Sequence, residues 1–320
     1  MYMEQKRDLR LDYVKGVAML LIVIGHMYFY LDRYDGSVVW NICNTIHIPI
    51  FMYISGLLAH VSIDRYGFRK LIGNRAIRLL LPFISYYVIW CLIDYHYFLD
   101  FPLKEFKKGF WFMLVLFELM ITLSLVMRLA WKYRIPSWVI NGLVYGAVTV
   151  YLFVVPRGNI FNILFCINLY WHYYPFFMLG YYFYKFVRFM QFRYAPLYLV
   201  LYILSFYFYF YQNIKILVPL CNLFSLLFFV STFIEGTHRP MEKVFAKLGY
   251  ESLQIYMIHL LLIYHLKSFI PIVENLWLEI GYYLLWSAVL IVVSMGIARV
   301  LEKSEWLNLF LFGNRRKKIE

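Results

Sequence analysis

Ten apolar runs leave this chain few ways to fold. They fall at about 14–32, 46–61, 79–98, 110–131, 137–155, 167–187, 196–212, 216–235, 252–270 and 280–299. Each is near the roughly 20 residues that an α-helix needs to cross a hydrocarbon core. In lipid every backbone N–H and C=O must be satisfied internally, so only helices and closed barrels span a bilayer. A barrel would show alternating segments of roughly ten residues, and these runs are longer and continuous. The second run is short, which predicts a helix packed inside the bundle or entering at an angle. The expected fold is all-α: a polytopic transmembrane helical bundle of about ten spans. It forms a single integral-membrane domain over 1–320, with no internal repeat and no separate soluble domain.

Charge sets the orientation. Only 15% of residues are charged and 63% are hydrophobic, where a soluble domain is nearer a quarter charged. The net charge of +13 would point to nucleic acid in a soluble protein. With the N-terminus cytoplasmic, however, 23 of the 31 Lys and Arg fall on the inner side and 7 on the outer, with Lys15 inside the first helix. That bias follows the positive-inside rule. It places both termini inside and accounts for the charge with no nucleic acid. The basic tail after Phe312 is expected to lie against anionic lipid. The first run has no small-residue cleavage site and reads as a signal anchor. Cys43, Cys91, Cys166 and Cys221 share no metal-type spacing and read as small apolar residues, so no metal is expected. The many aromatics belong mostly to interfacial belts, among them Tyr207-Phe208-Tyr209-Phe210-Tyr211. The run Tyr170-Trp171-His172-Tyr173-Tyr174 also fits an aromatic sugar-binding cleft.

A few polar residues stand out within the apolar runs. His26 lies thirteen residues beyond Tyr13, about 20 Å into a core of about 30 Å, and an ionisable side chain at that depth is a functional candidate. His47 begins the second run near the outer surface. Asp94 and His96 lie near the outer end of the third. Glu118 follows Trp111 by seven residues, about 10 Å deep from the outer side. His259 lies nearer mid-membrane, whereas His265, six residues on, faces elsewhere. A histidine with a carboxylate partner is a standard general base for a hydroxyl; a packed, hydrogen-bonded histidine is the bland alternative. At the inner start of the third run, Arg75 and Arg78 are spaced i, i+3 and share a helix face. Guanidinium pairs bind phosphates in a bidentate way, although inner arginines also arise from the positive-inside rule alone. Arg65, Arg69 and Lys70 lie nearby. These features describe either an enzyme moving a group across the membrane or a transporter of a glycan or lipid-linked intermediate. The transporter reading lacks an inverted repeat and paired Gly/Pro-broken helices.

The strings carrying these residues resemble the membrane-bound acyltransferase family 3, bacterial carbohydrate O-acetyltransferases, over nearly the whole length. They are Leu11-Asp12-Tyr13-Val14-Lys15-Gly16 with Gly25-His26; His47-Ile48-Pro49-Ile50-Phe51 with Ser55-Gly56; Arg75 and Arg78 with Pro82; Trp111-Phe112; Pro175 to Tyr181; and Leu248-Gly249 to His259. Lys15 stands where many members carry Arg. The resemblance implies transfer of acetyl, or another short acyl group, from cytoplasmic acetyl-CoA (acyl-CoA) to a carbohydrate hydroxyl of a surface or lipid-linked glycan, in the bacterial inner membrane. It implies His26 as the catalytic residue, either general base or acyl carrier, and Arg75 and Arg78, with Lys15, on the donor phosphates. Glu118 joins the catalytic set by depth alone. His47, Ser55, Asp94 and His259 are the expected acceptor contacts.

Overall fold

The computed structural model describes residues 8–65, 67–93, 95–104, 106–156, 158–182, 191–234, 236 and 239–314. Asp94 lies outside the described residues, as does the side chain of Arg65. Fifteen α-helices and no strand occur among the described residues: α1 Leu9–Tyr30, α2 Val38–Arg65, α3 Phe68–Arg75, α4 Leu81–Ile93, α5 Tyr97–Leu103, α6 Trp111–Tyr133, α7 Ser137–Val154, α8 Ile160–Leu164, α9 Ile167–Tyr182, α10 Ala195–Phe210, α11 Val218–Phe229, α12 Glu242–Tyr250, α13 Ser252–Leu266, α14 Leu276–Leu301 and α15 Glu305–Phe312. Five-residue π-helical turns at Ala76–Leu80 and Val230–Ile234 join α3 to α4 and extend α11.

Each of the ten apolar runs contains a helix, and among the described residues seven helical stretches are long and apolar enough to cross a membrane. These are Leu9–Tyr30, Val38–His60, Phe68–Ile93, Trp111–Tyr133, Ser137–Val154, Lys215–Ile234 and Leu276–Leu301. The other three runs are α9, α10 and α13, of 16, 16 and 15 residues. The second helix corrects the sequence reading. It has 28 residues and begins at Val38, because the polar residues that interrupt the apolar run are satisfied inside the fold. Asn41 donates to the Ser37 carbonyl at 2.8 Å and accepts from the Tyr209 hydroxyl at 2.6 Å. The Thr45 hydroxyl returns to the Asn41 carbonyl at 3.0 Å.

The chain divides into two compact units. The first comprises Met1–Ile54 and Phe183–Ala298. Its centre is α1, which buries residues all round its circumference, from Tyr13 and Val14 to Met27 and Tyr28. That pattern belongs to a helix enclosed by others. Asp8 caps its start, accepting the Arg10 backbone N–H at 2.9 Å. Glycine sets its closest crossing: a Cβ on Gly16 would collide with the Phe245 carbonyl, and one on Gly249 with the Asp12 carbonyl. Small residues thus let α1 and α12 approach backbone to backbone. At the other end of α1, Glu279 of α14 is buried, ion-paired to Arg33 at 3.1 Å and within 3.4 Å of the Tyr28 hydroxyl.

The second unit comprises Ser55–Tyr182 and Arg299–Glu320. Here α2 crosses α9 at Gly56, where a Cβ would meet the Phe177 carbonyl. The polar tips of the aromatic run on α9 are engaged by neighbouring helices. Tyr170 donates to Thr122 at 2.9 Å, Trp171 to Thr149 at 2.8 Å and Tyr174 to Asn141 at 2.5 Å. Lys107, 2% exposed, donates to the carbonyls of Pro102, Lys104 and Ile163 at 2.9–3.2 Å. Helix α15 packs against α4.

Candidate active site

Three histidines come together in the first unit. His26 is partly exposed, four residues before the end of α1. Its Nδ1 lies 2.8 Å from Nε2 of His259, and the two rings lie side by side and nearly parallel, with centroids 5.1 Å apart and an interplanar angle of 11°. His259 is fully buried, and its Nδ1 lies 2.7 Å from the Ile255 carbonyl, one turn back on α13. His47, also buried, hydrogen-bonds the Cys43 carbonyl through Nδ1. Its ring lies over Gly25, where an added Cβ would stand 3.9 Å from His47 Cε1.

The hydrogen bonds fix the proton positions. A carbonyl oxygen only accepts, so with the ring neutral His259 carries its proton on Nδ1 and presents a lone pair at Nε2. That lone pair accepts from Nδ1–H of His26. The remaining nitrogen of His26, Nε2, is then the unprotonated one. The chain Ile255 carbonyl, His259, His26 therefore delivers a basic ring nitrogen in one tautomer and one orientation. The second nitrogen of a functional histidine commonly determines its tautomer in this way. His265, on the same helix, is exposed.

Arg75 and Arg78 belong to the second unit and line one cavity of about 300 Å³ with Ser62, Asn74, Gly313 and the aliphatic side chains of Leu71 and Ile77. The sequence spacing assumed an α-helical turn, but the turn from Ala76 to Leu80 is π-helical, with the Leu81 N–H bonded to the Ala76 carbonyl. Such widened turns recur at functional sites, and here both arginines still line the same cavity.

The other predicted residues are distributed as follows. Lys15 is ion-paired to Asp12 at 2.6 Å, and Asp12 is only 3% exposed. Ser55 precedes the Gly56 crossing and is partly exposed. Glu118 lies on α6 in the second unit, partly exposed, with a buried Oε1 that has no hydrogen-bond partner among the described residues. His96 is exposed. Among the described residues no group of three or more His, Cys, Asp or Glu is arranged to hold a metal ion. Ser62, Asn74 and Gly313 were not legible from sequence. Only the neighbouring basic residues marked their region.

A family model described as an acyltransferase domain, acyltransferase 3, matches residues 8–299. The nodulation protein NolL of Sinorhizobium fredii is 29% identical over 198 residues, covering 55% of this chain and 49% of that protein. NolL of Mesorhizobium japonicum is 37% identical over 92 residues, covering 27% of this chain and 24% of that protein. The chain thus spans about half the length of the first relative and about a quarter of the second. No solved structure matches.

Proposed function

Because this chain belongs to the acyltransferase 3 family, we propose that it is a multi-pass membrane O-acyltransferase that moves acetyl, or another short acyl group, from cytoplasmic acyl-CoA to a hydroxyl of a surface or lipid-linked glycan. The observation that carries this reading is the hydrogen-bonded pair of His26 and His259, fixed by the Ile255 carbonyl. It supports a reaction in which Nε2 of His26 takes the proton of the acceptor hydroxyl as its oxygen attacks the thioester carbon. The carbon–oxygen bond forms, the carbon–sulfur bond breaks, and the departing thiolate recovers the proton from the imidazolium.

His47, packed over Gly25 beside the base, is the proposed acceptor contact together with Ser55. Arg75 and Arg78 are the proposed donor-phosphate ligands, supported by the cavity they share. Lys15, ion-paired to Asp12, is a further proposed donor contact. The unpartnered oxygen of Glu118 supports a second proton-handling group. The reading takes both compact units as parts of one acyltransferase domain, since the family model spans them. It also takes ten spans, both termini cytoplasmic, and the bacterial inner membrane as the setting, on the strength of the Lys and Arg bias.

The test is transfer of labelled acetyl from acetyl-CoA by the purified full chain in lipid, with and without glycan acceptors, beside His26→Ala. Transfer is expected from the wild type, with a loss of at least about 10²-fold in the variant, the contribution of one positioned base. Undiminished turnover in His26→Ala removes the site assignment, and a chain that neither binds nor consumes acyl-CoA removes the function.

A further inference from the structure

The arginine cavity is assembled from three separate stretches of chain, and two of them act on the guanidiniums without being basic. Ser62, on the last turn of α2, donates its hydroxyl proton to the Leu58 carbonyl at 3.1 Å and accepts Nη2 of Arg75 at 2.5 Å. Its rotamer is therefore set by its own helix, and it in turn sets the direction of the guanidinium. On the opposite side of the chain order, Gly313 ends α15 in the left-handed region, at φ +63°, with its N–H on the Leu309 carbonyl at 2.9 Å. A Cβ at Gly313 would fall inside contact distance of the Ile77 carbonyl and the Arg78 Cα. Only glycine combines that conformation with so close an approach. The contact is made on the π-helical turn that carries Arg78, so the end of α15 bears directly on the backbone that aims the second guanidinium.

From this geometry we infer that Ser62 and Gly313 are positioning residues for a phosphoryl group held by Arg75 and Arg78, and that the C-terminal helix is a structural wall of that site. Bidentate capture of a phosphate needs planar forks held in register. A long arginine side chain otherwise loses rotamer freedom on binding, and the bond from Ser62 removes part of that loss in advance. The ligand class is a phosphate mono- or diester. It could come from the nucleotide end of an acyl donor or from a lipid headgroup, and we assign the donor. This inference rests on the donor reading given above.

Equilibrium binding to the purified full chain tests it, with coenzyme A, inorganic pyrophosphate and phosphatidylglycerol as probes. Ser62→Ala is expected to weaken coenzyme A and pyrophosphate about tenfold, the scale of one hydrogen bond to a charged group. Ser62→Thr keeps the hydroxyl and is expected within about threefold of wild type, whereas Ser62→Cys, with a poorly accepting sulfur, should fall with the alanine variant. Gly313→Ala should weaken both phosphate probes as well. Unchanged affinity in Ser62→Ala and Ser62→Cys overturns the inference. So does a loss that Ser62→Thr fails to restore, which would mark a purely structural serine. Phosphatidylglycerol displacing pyrophosphate where coenzyme A does not would assign the site to lipid and overturn the donor assignment. The two levels separate cleanly. Ser62-dependent coenzyme A binding by a chain that transfers no acyl group would refute acyl transfer and leave the positioning roles standing. Acyl transfer whose donor KM ignores Ser62→Ala would do the reverse.

Discussion

Replacing His259 by leucine should disable the proposed base, His26, without touching it. In the wild type, His259 Nε2 accepts from His26 Nδ1 at 2.8 Å, and His259 is itself fully buried. Leucine fills similar space but offers no acceptor, so Nδ1–H of His26 loses its partner. Leaving a buried donor unsatisfied costs about 1–3 kcal/mol. The ring escapes that cost by rotating or by moving its proton to Nε2, and either escape takes the basic nitrogen out of use. If the whole cost falls on the transition state, at 1.36 kcal/mol per factor of ten, kcat drops about 5- to 150-fold. The donor KM should hold, because the arginine cavity is built from other residues. Glutamine at 259 has a carbonyl oxygen that can accept from His26 and an amide that can donate to the Ile255 carbonyl, so His259→Gln should recover part of the loss. The assay is steady-state transfer of labelled acetyl, with thermal midpoints of all three proteins as the control for folding. A leucine variant within twofold of wild type, or a glutamine variant no better than leucine at equal stability, would refute the reasoning about the tautomer.

Other consequences concern the scaffold. Gly249→Val forces α1 and α12 apart where the Asp12 carbonyl now sits against the glycine, and should cost about 1–3 kcal/mol, as overpacking does, read as a lower thermal midpoint. Arg33→Ala strips the cation from the buried carboxylate of Glu279. Because Arg33 is 37% exposed, the cost should be about 1–3 kcal/mol rather than that of a fully buried pair, and adding Glu279→Gln should restore part of it. The Arg10 guanidinium, hydrogen-bonded to Asp8, holds that carboxyl below its usual range. Its cap therefore stabilises α1 fully above about pH 4 and loses that contribution as the pH falls through the lower folded-state value. Amide exchange in the first turn should accelerate on acidification, and Asp8→Asn, still a competent cap, should abolish that dependence.

The amino-acid sequence by itself determined that this chain is helical and where its ten longer helices lie, but not its five short ones, because the cost of an unsatisfied backbone in lipid acts locally on each run of about 20 residues. It also picked out His26, since one imidazole in an apolar stretch is a local anomaly. Where local chemistry misled, tertiary contacts were the reason. Asn41 and Thr45 shortened the apparent second helix because polar side chains look like an end until Tyr209, 168 residues away, supplies a partner. The spacing of Arg75 and Arg78 is that of an α-helix on paper and of a π-helical turn in the fold. Gly16 and Gly249 appeared in recognisable strings, yet their purpose is a crossing between helices distant in the chain. The pairing within the candidate site was decided by tertiary structure alone. His26 and His259 are 233 residues apart, and no periodicity links them. Only packing α13 against α1 brings one lone pair to one N–H, and that single hydrogen bond gives the histidine found in the sequence a defined basic nitrogen.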